Sequence, residues 1–341
     1  MAFFAPDIGI DLGTSNTSVY VRGRGIVISE PTLVLVDRRE RNHVLAVGDE
    51  ASYLMGRTPE NVALVEPLRG GIIDDYDMTE VMLRYFIRKA IGKSHVLKSN
   101  VLVSVPCSLH NDQRRQVRTA VMRAGARKVE LIEKPYAAAL GSGLPVYEPI
   151  GSMVVDIGGG TTDAALVAIG GLVVAKSIPV GGQQMDAAVA SHIKREFNTL
   201  VGARTAEDVK LDLGTALPLN ERRRVQIRGK DSLFYSAKTI EFDSAQCCAA
   251  LQEPCTAILS CIKWVLERTP PELAADIMRG GIHLTGGASQ LFALDQYIAN
   301  ELNIPVLLAK EPTECTAMGL GYLVENMRLL STIGPGATPN N

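Results

Sequence analysis

Two stretches of the sequence resemble each other: IGIDLGTSNTSVYV at residues 8–21 and MVVDIGGGTTDAALV at residues 153–167. Each has an apolar run, then an aspartate, an apolar residue and a glycine, then a threonine-containing loop and a second apolar run. A glycine turn and a further apolar run follow in both copies. The pattern predicts a unit of strand, tight loop, strand, turn and strand, used twice. The two aspartates are 156 − 11 = 145 residues apart, about one domain length, so we expect two similar domains facing each other.

Length and composition exclude several classes of protein. The 341 residues, 46% of them hydrophobic, suffice for two domains, since a single core rarely grows past about 250–300 residues. A formal net charge of −2 and 5% aromatic residues argue against nucleic acid as a partner. The amino terminus lacks the features of a secretory signal, and no apolar run approaches the ~20 residues that cross a bilayer, so we expect a cytoplasmic protein.

The six cysteines form no C-x-x-C pair, so the sequence predicts buried structural residues and no zinc site. Strand patterns alternate with helical ones, which predicts mixed α/β domains. Asp77 and Glu80 predict a capping box before a helix, and Gly125 predicts the end of another. Further predictions are a helix from Pro135, two helices within 182–214, a strand-rich segment formed by 221–229 and 236–242, and a long helix at 245–267.

The two loops have the chemistry of a phosphate site. Glycines lack Cβ atoms, so backbone N–H groups can approach phosphate oxygens closely. The candidate phosphate-binding residues are Gly13, Thr14, Ser15 and Asn16 in the first loop and Gly158, Gly159, Gly160, Thr161 and Thr162 in the second. Asp11 and Asp156 end their strands beside these loops, and two carboxylates near a polyphosphate suit Mg²⁺. One such loop alone is more often a simple turn; the duplication is what indicates a phosphate clamp.

Three motifs in order, DLGTSNT at 11–17, DIGGGTTD at 156–163 and LTGGAS at 284–289, resemble the phosphate and adenosine motifs of the actin, DnaK-type chaperone and sugar kinase superfamily. The strings ISEPTLVLVD, PLRGGIIDDYDMTEVMLRYF, IEKPYAAALGSGLPV and PVGGQQMDAAV resemble the MreB/Mbl family of bacterial actins, over roughly residues 7–327. The chain has no G-x-x-x-x-G-K-[ST] motif, which excludes a P-loop nucleotide-binding protein.

The resemblance implies an actin-like α/β ATPase fold of two duplicated domains, each with a large and a small subdomain. We expect domain I at 1–145, with its small subdomain at about 31–75 and with residues 315–331 returning to it. Domain II is expected at 146–314, with its small subdomain at about 182–245. Residues 332–341 have the composition of a disordered tail.

The resemblance also implies site residues and a bound Mg-ATP. Glu207 and Lys210 match the ribose and adenine contacts, although a solvated ion pair on a helix face is the simpler interpretation of these two residues. Gly286 and Gly287 match the adenine loop. Ala288 replaces a third glycine, which is tolerable unless its φ is positive.

Lys134 departs from the family. Lys134 and Thr161 match the positions of the family's catalytic residues. At position 134, relatives usually carry a glutamate that orients the attacking water. A lysine ammonium cannot accept a proton from water, but it can attract the γ-phosphate. The adjacent Glu133 is expected to point to the opposite face of an extended segment. We therefore expect ATP to be bound and hydrolysed slowly or not at all.

The family forms antiparallel double filaments on the inner face of the cell membrane and organises wall synthesis with MreC, MreD and RodZ-type proteins. We expect these partners here, together with self-association, inner membrane lipids and other MreB paralogues. The predicted membrane contacts are Phe3, Phe4, Val96 and Leu97, the last two in a loop flanked by lysines.

Three alternatives remain open at this point. A sugar kinase would need an acceptor pocket with a catalytic aspartate, for which the strings give no positive sign. A DnaK-type chaperone would need a peptide-binding domain after the ATPase. An ATP-binding protein of the same fold could also act without assembling.

Overall fold

The structure is a computed structural model that describes residues 5–40, 43–54, 59–92 and 98–331. The predicted membrane contacts Phe3, Phe4, Val96 and Leu97 and the predicted tail at 332–341 lie outside the described residues. Within these ranges, no helix is both long and apolar enough to cross a membrane.

The first half of the chain contains ten described strands and four helices. The strands are β1 (Ile8–Leu12), β2 (Asn16–Val21), β3 (Gly25–Pro31), β4 (Val34–Asp37), β5 (His43–Val47), β6 (Val62–Val65), β7 (Leu68–Arg69), β8 (Ile72–Ile73), β9 (Asn100–Val105) and β10 (Lys128–Glu133). The helices are α1 (Asp49–Tyr53), α2 (Tyr76–Ile91), α3 (Asn111–Ala124) and α4 (Lys134–Gly141).

The second half contains eight described strands and six helices. The strands are β11 (Ser152–Ile157), β12 (Thr162–Ala168), β13 (Gly171–Ile178), β14 (Thr199–Leu200), β15 (Arg224–Asp231), β16 (Ala237–Asp243), β17 (Ile282–Thr285) and β18 (Val306–Leu308). The helices are α5 (Gly182–Phe197), α6 (Ala203–Leu213), α7 (Ser244–Glu267), α8 (Pro271–Gly280), α9 (Leu294–Leu302) and α10 (Cys315–Glu325). Short 3₁₀ helices span Arg38–Glu40, Gly287–Gln290 and Met327–Ser331.

Two five-stranded sheets share one topology. The first has the order β10-β9-β1-β2-β3, with β1, β2 and β3 antiparallel in turn and β9 and β10 parallel to β1. The second has the order β13-β12-β11-β17-β18 and the same strand directions. The predicted repeat of strand, loop, strand, turn and strand is therefore confirmed. Smaller sheets, β5-β4-β6 and β14-β15-β16, are inserted in the two halves, and the domain limits stay a prediction.

A hydrophobic cluster joins the two halves. It takes Leu102 and Ile132 from the first large sheet and Val154 and Ala165 from the second, with residues of α4 and α10 between them. Helix α4 carries three consecutive buried alanines at 137–139, whose small side chains let α10 pack closely against it. Because α4 lies between the sheets, its first residue reaches the place where the two hairpin loops meet.

Local signals in the sequence place most element ends. Helix α3 ends before Gly125, whose φ of 121° favours glycine. The predicted capping box at Asp77 and Glu80 is wrong, because α2 begins at Tyr76 and its N-cap is Asp75, which accepts a hydrogen bond from the Met78 N–H at 3.0 Å. The long helix α7 occurs where predicted, and the predicted strand-rich segment contains β15 and β16. All six cysteines are free and buried, as expected.

Candidate functional site

The loops after β1 and β11 contact each other. A Cβ atom on Gly160 would overlap the side chain of Thr14, and one on Gly159 would overlap that of Ser15. The Thr14 hydroxyl accepts a hydrogen bond from the Gly71 N–H at 3.0 Å. Glycine is thus required because the loops approach closely, so the structure brings the two predicted phosphate loops to one place. Asn16 is exposed at the start of β2.

The amino-terminal end of α5 faces the second loop. The Gly182 and Gln183 N–H groups donate to the carbonyl oxygens of Gly158 and Gly159 at 3.0 and 2.8 Å. The positive end of this 16-residue helix therefore lies at the loop, where it favours anions. The Thr162 hydroxyl is fully buried and donates to the Val180 carbonyl at 2.7 Å, so it holds the hairpin to the segment before α5.

Asp11 is held by the first sheet. Its Oδ1 accepts a hydrogen bond from the Ser104 hydroxyl at 2.6 Å, and the Ser104 oxygen accepts one from the Leu12 N–H at 3.2 Å. Ser104 lies on β9, the parallel neighbour of β1. The sequence did not single out Ser104, because only strand pairing brings it beside Asp11.

Two carboxylates lie opposite each other in the second hairpin. Asp156 on β11 is the register partner of Asp163 on β12, so both side chains lie on one face of the sheet. Asp156 accepts a hydrogen bond from the Thr285 hydroxyl at 3.0 Å, and Asp163 accepts one from the Cys107 N–H at 3.0 Å.

Burial raises the pKa of both carboxyls. That of Asp156 rises to about 6, because burial and the charges of Asp11 and Asp163 outweigh the opposing effect of the Lys134 ammonium. Burial likewise raises the pKa of Asp163. Sequence reasoning missed Asp163, the last residue of DIGGGTTD, because only the strand register places it opposite Asp156.

Lys134 lies between the two hairpins. Its Nζ is 3.1 Å from Oδ1 of Asp11, and the residue is only 7% exposed. Burial lowers the pKa of this lysine, but the charges of Asp11, Asp156 and Asp163 more than offset that effect, so the pKa is raised and the side chain is an ammonium ion. Asp11, Asp156 and Asp163, whose charges act on Lys134, are called the carboxylate cluster below.

The magnesium ion implied by the resemblance does not fit these donors in the way that the sequence predicts. Oδ1 of Asp11 already faces the Lys134 ammonium and the Ser104 hydroxyl, so a dication there would lie against a buried cation. Among the described residues, no three His, Cys, Asp or Glu side chains form a group that could hold a metal ion. The metal-binding role of Asp11 and Asp156 stays a prediction.

The predicted nucleoside contacts lie on the other side of the second loop. A Cβ atom on Gly182 would lie 3.5 Å from Lys210 Nζ and 3.7 Å from Ala288 Cβ, so α6 and the LTGGAS loop meet at the start of α5. Gly286 has a φ of 84°, and a Cβ there would overlap the Ile157 carbonyl oxygen. Ala288 is not among the residues of positive φ in the described chain, so the alanine is tolerated.

Lys210 pairs with Asp186 of α5 at 2.7 Å, while Glu207, on the same helix, is exposed. The nucleotide-binding role of Glu207 and Lys210 stays a prediction, as does that of Gly287. A groove of about 400 Å³ lies elsewhere, between α5 and α7. The residues that line this groove do not include the glycine loops. The candidate site is therefore identified by the contacts and charges of the loops, not by a deep pocket.

Comparisons with known proteins agree with this arrangement. A family model described as MreB/Mbl protein matches residues 5–332. The chain is 44% identical over 324 residues to the cell shape-determining protein Mbl of Bacillus cereus, covering 95% of this chain and 97% of that protein. It is 43% identical over 327 residues to the cell shape-determining protein MreB of Escherichia coli, covering 94% of each.

The structural comparisons give the same result. The crystal structure of MreB5 of Spiroplasma citri bound to AMPPNP is 32% identical, with a TM-score of 0.89, covering 95% of this chain and 97% of that one. A MamK double helical filament is 20% identical, with a TM-score of 0.78, covering 93% and 98%, and supports the fold alone. The predicted actin-like α/β fold is confirmed. The chain therefore belongs to the MreB/Mbl family of bacterial actins.

Proposed function

We propose that this chain is a cell-shape-determining bacterial actin that binds ATP between its two glycine loops and assembles into membrane-associated filaments that guide cell-wall synthesis. We further propose that it hydrolyses ATP slowly or not at all. The observation that carries the proposal is the contact of the two duplicated loops, with Gly159 and Gly160 against Ser15 and Thr14, beside the amino-terminal end of α5.

ATP binding is supported by donors around one place. Backbone N–H groups of the glycine loops, the hydroxyls of Thr14 and Thr161 and the positive helix end suit a polyphosphate. Lys210 and Ala288, which both lie near Gly182 at the start of α5, suit the nucleoside. The MreB5 relative has been crystallised with AMPPNP and with ADP, which supports the same ligand class here.

Slow hydrolysis is supported by the position of Lys134. A general base must accept a proton from the attacking water, and an ammonium ion has no lone pair for it. Glu133 cannot take over this role, because its carboxylate is 2.6 Å from the Arg114 guanidinium, away from the carboxylate cluster. Lys134 can instead hold the γ-phosphate as a point charge.

Assembly is supported by an exposed apolar surface. Leu233, Phe234 and Tyr235, the hairpin tip between β15 and β16, are 64%, 81% and 70% exposed. The Asp231 carboxylate accepts hydrogen bonds from the Leu233 and Phe234 N–H groups at 2.8 and 3.0 Å, which orders the tip. An ordered, exposed apolar surface is typical of an interaction site, and a second copy of the chain is the partner proposed here.

Membrane binding and the partners of the MreC, MreD and RodZ type are proposed from the family resemblance. Liposome co-sedimentation tests the lipid contact. A variant with Val96 and Leu97 both changed to serine should bind anionic vesicles more weakly than the unchanged protein. Unchanged binding would remove this loop from the proposal.

One experiment tests the proposal as a whole. The full-length protein is pelleted and imaged by electron microscopy with ATP, with ADP and without nucleotide, while phosphate release is measured in parallel. We expect filaments that depend on nucleotide and phosphate release at least about 100-fold slower than in a glutamate-bearing relative, the range that one general base contributes. Hydrolysis as fast as in such a relative, and unaffected by Lys134→Ala, would contradict the hydrolysis proposal.

Two alternatives have the same fold. A sugar kinase would phosphorylate an added sugar, and a non-assembling ATP-binding protein would stay in the supernatant in every nucleotide state. Pelleting that depends on nucleotide, with no sugar phosphorylation, favours the filament.

A further inference from the structure

Lys134 is an unusual residue for the interior of a protein. Among the lysines and arginines in the described part of the chain, it is the only one that is buried. Isolated buried charges are strongly disfavoured, so a buried ammonium needs compensating carboxylates. The chain supplies three of them, Asp11, Asp156 and Asp163.

These three carboxylates come from both halves of the molecule. Asp11 ends β1 in the first sheet and lies 3.1 Å from Lys134 Nζ. Asp156 and Asp163 stand opposite each other in the β11–β12 hairpin of the second sheet, and both act electrostatically on Lys134. The ammonium therefore contacts the acidic group of the first hairpin and is stabilised by the charges of the two in the second.

The charge of this arrangement equals that of a metal-loaded site. A glutamate at position 134 would give four carboxylates, and one divalent cation would bring the total to −4 + 2 = −2. With lysine, the formal charges of three aspartates and one ammonium give −3 + 1 = −2. Replacing a glutamate by a lysine changes the charge at this position from −1 to +1. This change of two equals the charge that a divalent cation would add.

We propose that the Lys134 ammonium replaces a divalent cation between Asp11 and Asp156, so that this chain binds ATP without Mg²⁺. The inference rests on the proposed ATP binding. It is specific to this position, because Ser104 and Thr285 hold the two carboxylates in place from the neighbouring strands and no other basic side chain in the described chain is buried among them.

The test compares the affinity for AMPPNP in excess Mg²⁺ with that in excess EDTA, by titration calorimetry on the full-length protein. We expect the unchanged protein to differ by less than about threefold, because the ammonium neutralises the carboxylates in both buffers. Lys134→Glu should bind at least about tenfold more weakly in EDTA than in Mg²⁺, since its four neighbouring carboxylates repel one another and the phosphates. Lys134→Gln, a milder change, should fall between them.

The matched control is Lys128→Glu. Lys128 is an exposed lysine whose Nζ is 2.9 Å from Glu130 Oε1 on the same strand, so this variant should behave like the unchanged protein. If the unchanged protein binds AMPPNP only with Mg²⁺, the inference is overturned while the proposed function stands. If neither it nor the control binds AMPPNP in either buffer, the proposed function fails as well. Comparing the unchanged protein in the two buffers decides the matter even if Lys134→Glu does not fold.

Discussion

Glu133 and Lys134 are neighbours in sequence, yet their charges belong to different ion pairs on opposite sides of the chain. The Glu133 carboxylate is 2.6 Å from the Arg114 guanidinium of α3, whereas the Lys134 ammonium is 3.1 Å from the Asp11 carboxylate. Glu133 ends β10 and Lys134 begins α4, so the change from strand to helix turns the two side chains apart. Of these two adjacent residues, the lysine faces the candidate site and the glutamate faces away from it.

The ion pair of Asp11 and Lys134 should contribute to stability. Asp11→Asn removes the nearest negative charge and should lower the free energy of unfolding by about 1–3 kcal/mol, somewhat less than the usual cost of breaking a buried pair because Asp156 and Asp163 still face the lysine. Urea denaturation would measure the change.

A double-mutant cycle separates this pair from a general packing effect. Adding Lys134→Met to Asp11→Asn removes the ammonium that has lost its nearest carboxylate, so the double variant should be more stable than the sum of the two single changes predicts. Strict additivity would mean that the two side chains do not interact.

The contact between α4 and α10 should tolerate no side chain at Gly319. A Cβ atom there would overlap the Ala137 carbonyl oxygen of α4, so Gly319→Ala should destabilise the protein by about 1–3 kcal/mol through overpacking. Gly280→Ala at the end of α8 is the control. No atom lies within 4 Å of a Cβ at Gly280, and removing a glycine there should be neutral or stabilising by up to about 1 kcal/mol. Thermal unfolding of both variants gives the comparison, and equal melting temperatures would contradict it.

The sequence was sufficient to predict the repeated unit and the loops, because local patterns specify them. These patterns are the apolar runs, the glycines and the aspartates that end strands. Partners across strands could not be predicted. Ser104 lies beside Asp11, and Asp163 beside Asp156, only because of strand pairing, and register is not encoded in one strand alone.

Two local predictions show the same limit. Both Asp75 and Asp77 have the chemistry of a helix N-cap, and the choice of Asp75 depends on where the chain leaves the β7–β8 hairpin. The two-residue strand β14 exists only through its pairing with β15, so no pattern within it could have revealed it.

The cysteines should be unreactive in the folded protein. Burial raises the pKa of the Cys247, Cys255 and Cys261 thiols to about 12, and that of Cys315 to about 11. The thiolate is the reactive form, so a thiol reagent at pH 8 should label the native protein slowly and all six cysteines quickly after unfolding in urea. Rapid labelling of a native cysteine would show that its helix opens readily or that it is not buried.

The hairpin tip should matter for assembly and not for nucleotide binding. Phe234 is 81% exposed, and burying a phenyl side chain in a contact between copies contributes about 1.5–3 kcal/mol. Phe234→Ser should therefore raise the critical concentration for pelleting roughly tenfold or more, since about 1.4 kcal/mol corresponds to a factor of ten. AMPPNP affinity should not change, because the tip belongs to the small β14-β15-β16 sheet and is absent from the loop contacts. Ile169→Ser is the control, as Ile169 is 73% exposed in the turn between β12 and β13. If both changes weaken pelleting equally, general surface hydrophobicity rather than the tip drives assembly.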